Sequence, residues 1–365
     1  MSKSTYRIIG LMSGTSLDGL DIACCIFEQN GESWNYKIEQ AVTYKYNEEW
    51  SKKLASIHNS SAYEFALANT EYGYYLAKKV NEFISQKNIK GINLIASHGH
   101  TIFHQPEKNF TFQLGSGAAL AGRTGITTVC DFRSLDIALN GQGAPLVPIG
   151  DALLFSEYDY CLNLGGIANI SFPSPHPSPF GKGQRVRLTA FDICPVNLVL
   201  NQLVITLGKS YDSEGEFARS GSLNNNLLEK LNNLDFYKTS GAKSLGREWV
   251  EEVFFPVTNS FEISVQDKLN TVCEHIALQI AKHVNNAKTK MLITGGGAYN
   301  SYLIERIKFH THEVIIPDKQ TIEYKEALIF AFLGLLRFAQ KNNTLASVTG
   351  ARTNSVGGAI YLGGI

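Results

Sequence analysis

Several short stretches of this chain concentrate the residue types that handle phosphate. Gly10-Leu11-Met12-Ser13-Gly14-Thr15-Ser16-Leu17-Asp18-Gly19 sets glycines, hydroxyls and a carboxylate into one turn between two apolar runs. Glycines let backbone N–H groups approach phosphate oxygens, Ser and Thr add donors, and Asp18 can hold a magnesium ion directly or through water. A plain hairpin turn needs only one or two such residues. Asn163-Leu164-Gly165-Gly166-Ile167-Ala168-Asn169 is the matching turn of the second half, with glycines and amides but no charge, which suits phosphate and not metal. Leu292-Ile293-Thr294-Gly295-Gly296-Gly297-Ala298-Tyr299-Asn300 ends a strand pattern and opens a helical one. Missing side chains there permit close approach by a flat ring or ribose, and a helix N-terminus attracts anions, although a flexible turn explains a lone glycine triplet equally well. No glycine loop ends in Gly-Lys-Ser/Thr and no Gly-x-Gly-x-x-Gly follows the first strand, so the Walker A and Rossmann patterns are both set aside.

The elements that must carry these turns follow from periodicity. Apolar runs over 6–12 and 20–27 flank the first turn and predict a β-hairpin, with a third strand over 36–44. Phe65, Tyr72, Leu76, Val80, Phe83 and Ile84 recur at helical spacing behind Ser60 and Ser61, either of which can cap the helix start. A short strand over 92–96 ends in the polar cluster Ser97-His98-Gly99-His100-Thr101. The second half repeats the theme with strands over 160–164, 167–172 and 188–193, and a Pro/Gly-rich loop over 173–183. Helical spacing returns from Leu269 to Val284, followed by a strand over 291–294, and an apolar helix over 323–339 reads as buried between two lobes. Hairpin, strand and helix in the same order in both halves predict one duplicated α/β fold. The first lobe is expected over 1–150 plus 341–365 and the second over 151–340.

Bulk properties agree with two full-sized cores. At 365 residues, 44% hydrophobic and 18% charged, the chain is an ordinary globular protein without long disordered stretches. Its 33 acidic and 33 basic residues cancel, so no broad field exists to hold nucleic acid or an anionic membrane. Cys24, Cys25, Cys130, Cys161, Cys194 and Cys273 lack the paired spacing of zinc or redox sites and read as reduced cytosolic thiols. His98, His100 and His104 have no local carboxylate or thiol partner and read as polar wall residues of a cleft, not as a metal site. No secretion-type leader or membrane-length apolar run is seen, so a cytoplasmic protein is expected.

The order of these segments resembles the actin-like ATPase superfamily, with two ribonuclease-H-like lobes, two phosphate hairpins and a glycine-rich adenosine segment. Within it, the 10–19 turn, Cys130-Asp131-Phe132-Arg133, Gly141-Gln142-Gly143-Ala144-Pro145-Leu146, the 163–169 turn, the 295–300 segment and Lys325-Glu326-Ala327-Leu328 resemble the anhydro-N-acetylmuramic acid kinase family over nearly the whole chain. The resemblance implies an α/β fold with a nucleotide cleft between the lobes. It also implies a kinase of peptidoglycan recycling that uses ATP, Mg2+ and water to convert 1,6-anhydro-N-acetylmuramic acid to N-acetylmuramic acid 6-phosphate, and dimers occur in the resembled family. ATP contacts are implied for Gly14, Thr15, Ser16, Leu17, Asp18, Gly19, Leu20 and Asp21, for Gly165, Gly166 and Asn169, and for Gly295, Gly296, Gly297 and Asn300. The two hairpins are expected to face each other across the phosphate tail, with Asp18 serving the metal.

A 1,6-anhydro sugar has no free 6-hydroxyl. Water must therefore open the bridge at C1 while the released O6 takes the γ-phosphoryl group, which calls for one base and one phosphate clamp. Asp192, in Phe191-Asp192-Ile193-Cys194-Pro195-Val196-Asn197, matches the family's catalytic aspartate in Phe-Asp-Thr-Gly-Pro-Gly-Asn; alternatively it caps a helix over 196–207. By the same match Arg133 holds the substrate's lactate carboxylate or sugar oxygens, and Thr101 and Glu326 bind sugar hydroxyls. A structural salt bridge to Asp131 or Asp136 is the alternative for Arg133, and the helix dipole is the alternative for Glu326. The chain departs from the family at Ile193-Cys194-Pro195-Val196, at Asn201 for Asp, at His100 for Gln, at Asn140 for Gly and at Gly241-Ala242 for Pro-Pro. Those changes motivate a second reading, a relative that binds nucleotide or amino sugar without turnover or with altered specificity. A third is an ordinary hexose kinase.

Overall fold

Alternating apolar residues make β1 (Ser4–Ser13) and β2 (Leu20–Asn30) a two-faced antiparallel ribbon, in register from Ser4 opposite Gln29 to Ser13 opposite Leu20. The computed structural model describes residues 4–14, 17–173, 188–239, 245–284 and 289–364. They form two compact units, Met1–Leu154 with Tyr324–Ile365, and Phe155–Glu323. Thr15 and Ser16, most of the 173–183 loop, and Gly241 and Ala242 lie outside the described residues.

In the first unit β3 (Ser33–Tyr44) extends the ribbon antiparallel to β2, while β4 (Leu94–Gln105) and β6 (Thr128–Cys130) add parallel strands beyond β1. β5 (Phe110–Leu114) pairs with the outer half of β4, and β12 (Ala359–Tyr361) closes the edge on β6. One sheet face is covered by the Ala62–Lys87 helix, whose Tyr72, Leu76, Val80 and Phe83 meet Ile9, Leu11, Leu20 and Ile22. Ser61 makes the capping box with Glu64, so of the two candidate caps it is the one used.

The opposite face takes the Lys319–Phe338 helix. A Cβ on Gly10 would lie 2.0 Å from the Ala327 carbonyl oxygen, and one on Gly334 would lie 2.5 Å from the Ala96 Cβ. Glycine at these crossing points lets helix and sheet backbones nearly touch. This helix was expected to end the second lobe. The chain instead kinks at Tyr324 (φ −117°, ψ 15°) and joins the first unit from there on, because its small-residue face is matched to β1 and β4.

β4 also differs from expectation. It runs on through the polar cluster to Gln105, because β5 offers it a partner there. Its register with β1 slips between Leu11 opposite Ser97 and Ser13 opposite His100, a bulge at His98 and Gly99. Gly99 holds φ +74° there, and a Cβ would meet the Leu114 carbonyl at 2.7 Å.

In the second unit β7 (Tyr160–Leu164) and β8 (Ile167–Pro173) form the predicted hairpin, with β9 (Leu188–Pro195) antiparallel beyond β8. β10 (Lys290–Thr294) and β11 (Glu313–Ile315) lie parallel on the other side of β7. The core joins Leu162, Ile170 and Ile193 to Val272, Ile276 and Ile280 of the Val265–Ala281 helix. The order β9-β8-β7-β10-β11 reproduces β3-β2-β1-β4-β6 of the first unit, with the same antiparallel and parallel partners. Both units are therefore ribonuclease-H-like, and the duplication expected from the element order is present. No helix among the described residues is long and apolar enough to cross a membrane.

Candidate active site

In the first unit the β1–β2 turn carries Gly14, Leu17, Asp18 and Gly19. Leu17 sits at φ +61°, a left-handed backbone uncommon for a branched residue, held by its N–H to the Gly14 carbonyl at 3.4 Å. Asp18 is exposed, whereas Leu20 is fully buried, so any contact Leu20 makes with a ligand is through its main chain. Asp21 accepts from the Thr43 hydroxyl at 2.6 Å. Ser13, where β1 enters the turn, shares hydrogen bonds with Tyr46 Oη at 2.6 Å and His100 Nδ1 at 2.8 Å, and Tyr46 in turn meets Tyr72 Oη at 2.5 Å. Burial lowers His100 to about 4, so it is a neutral hydrogen-bonding group of the core.

Arg133 follows β6. Its Nε and Nη2 donate to His98 Nε2 at 3.1 and 2.9 Å, and Nη1 donates to the Gly143 carbonyl at 2.7 Å. Burial brings the guanidinium down to about 10, with the Glu326 charge opposing, so it stays cationic near neutral pH. The salt-bridge alternative is not realised: Asp131 accepts from Ser134, and Asp136 accepts from Gly143 N–H and the Thr349 hydroxyl. Thr101 lies half-buried in β4 opposite Gln113, just past the bulge.

Glu326 keeps solvent-accessible surface yet sits in crowded protein. Loss of hydration raises its carboxyl above the usual range and the charges of Asp21 and Asp18 add to this, against Arg133 and Lys325. It lies two residues past the kink at Tyr324, where two helical segments meet, so it stands in the first turn of the second segment, a place the helix dipole also favours for a carboxylate. Beside it Lys325 Nζ forms a buried ion pair with Asp151 Oδ1 at 2.8 Å.

In the second unit Asp192 lies within β9 and caps nothing; the Asn197–Ile205 helix begins at Val196 without a side-chain cap. Cross-strand register sets Asn169 opposite both Asn163 and Asp192, which makes a polar row across β7, β8 and β9. Asp192 Oδ2 accepts from Leu245 N–H at 2.9 Å. Burial raises the carboxyl above its ordinary value and that hydrogen bond pulls the other way. The Gly165-Gly166 turn docks on the start of the Asn197–Ile205 helix, its carbonyls accepting from the N–H groups of Val196, Asn197 and Leu198.

The glycine triplet closes on the same place. A Cβ on Gly295 (φ +83°) would lie 2.5 Å from Asn163 Oδ1, and one on Gly297 2.7 Å from the Leu164 Cβ. One difference from expectation is that the triplet does not open a helix directly. It forms a 3-10 turn, Gly296–Tyr299, and Asn300 spends its side-chain oxygen capping the Ser301–His310 helix through Leu303 N–H.

A family model for anhydro-N-acetylmuramic acid kinase matches residues 6–363. The chain belongs to the anhydro-N-acetylmuramic acid kinase family. A relative of that name from Sulfurovum sp. is 32% identical over 376 residues, covering 99% of this chain and 100% of the relative. Another from Crocosphaera subtropica is 34% identical over 383 residues, covering 97% and 98%. Among solved structures, the activator of the 2-hydroxyisocaproyl-CoA dehydratase from Clostridium difficile with bound ADPNP aligns at TM-score 0.45 and 12% identity, over 92% of this chain and 96% of that one.

The geometry accounts for several departures from the family pattern. Asn140 holds φ +66°, a conformation glycine takes freely and asparagine tolerates best among the rest. Ile193, Cys194 and Val196 are buried in the core of the second unit, so their bulk points away from the polar row. Three features escaped sequence reasoning: His98 as the seat of Arg133, Asn163 within the row, and the Lys325–Asp151 pair. The amide pair at the ends of the 163–169 turn was the available signal for Asn163; the other two depend on partners far away along the chain.

Proposed function

We propose that this chain is an ATP-dependent kinase that opens 1,6-anhydro-N-acetylmuramic acid with water and phosphorylates O6. The observation that carries this reading is Asp192, held in the polar row of a sheet whose turn and glycine triplet converge, with burial raising its carboxyl. In this reading Arg133, Thr101 and Glu326 bind the sugar. Asp192 takes the proton of a water that attacks C1; the C1–O bond of the bridge breaks, and the freed O6 attacks the γ-phosphorus as ADP leaves. The products are N-acetylmuramic acid 6-phosphate, ADP and a proton.

In this reading the glycine-bearing turn of the first unit is a phosphate ligand, and in the second unit Gly165 and Gly166 with Asn169 are phosphate ligands and the 295–300 segment a nucleoside ligand. Donors present on the first unit fit a magnesium ion. Burial raises the Glu326 carboxyl and the charges of Asp21 and Asp18 add to it, so Asp18 would be the residue to hold the ion, since Mg2+ is commonly bound by one or two carboxylates plus phosphates and water. Such an ion would supply charge neutralisation for phosphoryl transfer. No cluster of three His, Cys, Asp or Glu ligands exists among the described residues.

The test is turnover of the anhydro sugar with Mg-ATP in heavy-oxygen water. Label at C1 of a 6-phosphate product is expected, and Asp192→Asn should cut kcat by about a thousandfold while leaving ATP binding intact. Transfer without label, or full turnover by the variant, removes this mechanism.

A further inference from the structure

The contact between His98 and Arg133 has an unusual balance of charge. Buried arginines are ordinarily met by carboxylates, which cancel their charge. Here Asp136 is committed to Gly143 N–H and Thr349 and Asp131 to Ser134, and Glu326, the carboxylate whose charge Arg133 feels, makes no ion pair with it among the described residues. The acceptors that hold the guanidinium are a carbonyl and an imidazole. An arginine only donates, so His98 Nε2 must be unprotonated, and the proton sits on Nδ1, which donates to the Gly99 carbonyl at 2.9 Å. Burial and the adjacent Arg133 charge hold His98 well below its ordinary range, which agrees with the neutral tautomer these contacts require.

The imidazole is fixed on its other sides as well. Its ring lies 4.5 Å from that of Phe330, which also packs on Phe132 next to Arg133. His98 lies in the β4 bulge, where the register with β1 slips. Terminal N–H groups on Nη1 and Nη2 remain for a ligand, since a guanidinium carries more donors than these contacts use.

We propose that His98 is a positioning residue for substrate selectivity: as a neutral acceptor it orients Arg133 without cancelling its charge, so that the sugar site favours an anhydro sugar carrying an anionic arm. The inference rests on the sugar-binding reading of Arg133 given above. It predicts discrimination between 1,6-anhydro-N-acetylmuramic acid, which bears a lactyl carboxylate, and 1,6-anhydro-N-acetylglucosamine, which has the same bicyclic ring and no carboxylate.

The test is equilibrium binding of both sugars by calorimetry to the full chain, a readout that does not need phosphoryl transfer. The wild type should prefer the carboxylated sugar by about tenfold or more, the scale of one hydrogen bond to a charged group. His98→Gln, which keeps a neutral acceptor, should retain that preference. His98→Glu, which pairs with Arg133, and His98→Leu, which fills the space without accepting, should erase it while binding the uncharged sugar as before. If His98→Glu does not fold, the contrast of His98→Gln with His98→Leu decides. Equal affinity of the wild type for both sugars, or a preference surviving in His98→Leu, overturns the proposal. Selective binding without any phosphorylation would instead overturn the kinase reading and leave the role of His98 standing.

Discussion

Asp192 is assigned the work of a base in a place where water is scarce. Burial raises its carboxyl above the ordinary 3.8, so as pH falls the base is lost earlier than a free aspartate would be. The acid limb of kcat/KM should therefore lie above that ordinary value, and a pH–rate profile whose limb sits at or below it would take Asp192 out of the base role. The same shift has a sign for stability. A carboxyl that binds its proton more tightly in the folded chain than in the unfolded one makes folding less favourable as pH rises across that interval. Asp192→Asn should accordingly melt no lower than the wild type at neutral pH, which separates its loss of turnover from misfolding. Arg133 and His98 pose the opposite problem, a charge that must be kept and not quenched, and the neutral imidazole answers it.

At the scale of elements, the crossing of β1 and the Lys319–Phe338 helix joins two functions through one contact. Gly10 leads into the turn proposed to hold phosphate, and Ala327, whose carbonyl it faces, directly follows Glu326, proposed to bind sugar. Gly10→Ala would drive a methyl into a backbone atom that has no rotamer to yield. A loss of about 3 kcal/mol in chemical denaturation is expected, together with weaker sugar binding in whatever fraction folds. A variant as stable as the wild type would show that the helix can lift without cost. Much of this level was legible in the sequence: both glycine turns lie between apolar runs whose alternation is local, and Ser61 with Glu64 spells a helix start. The bulge at His98 and Gly99 was not legible, since it arises from unequal pairing lengths between β1 and β4, and neither strand's own pattern records its partner. The allegiance of the 324–338 segment was hidden for the same reason. An apolar helix announces burial, but only the glycines opposite it say against what.

For the whole molecule, the repeated strand order shows two copies of one topology built with different continuity. The second unit is a single stretch, Phe155–Glu323, with its own core, whereas the first needs both Met1–Leu154 and Tyr324–Ile365. An excised 155–323 fragment should therefore melt cooperatively, judged by circular dichroism against temperature. A 1–154 fragment should not, because the sheet face under Gly10 and Ala96 would stand bare. A cooperative 1–154 fragment would show that the Ala62–Lys87 face alone suffices. The discontinuity also orders events on the ribosome. The first strands to emerge must wait, one face uncovered and prone to aggregate, until translation has passed through the entire inserted unit and delivered their missing helix, so this chain starts to fold at its beginning and finishes there last.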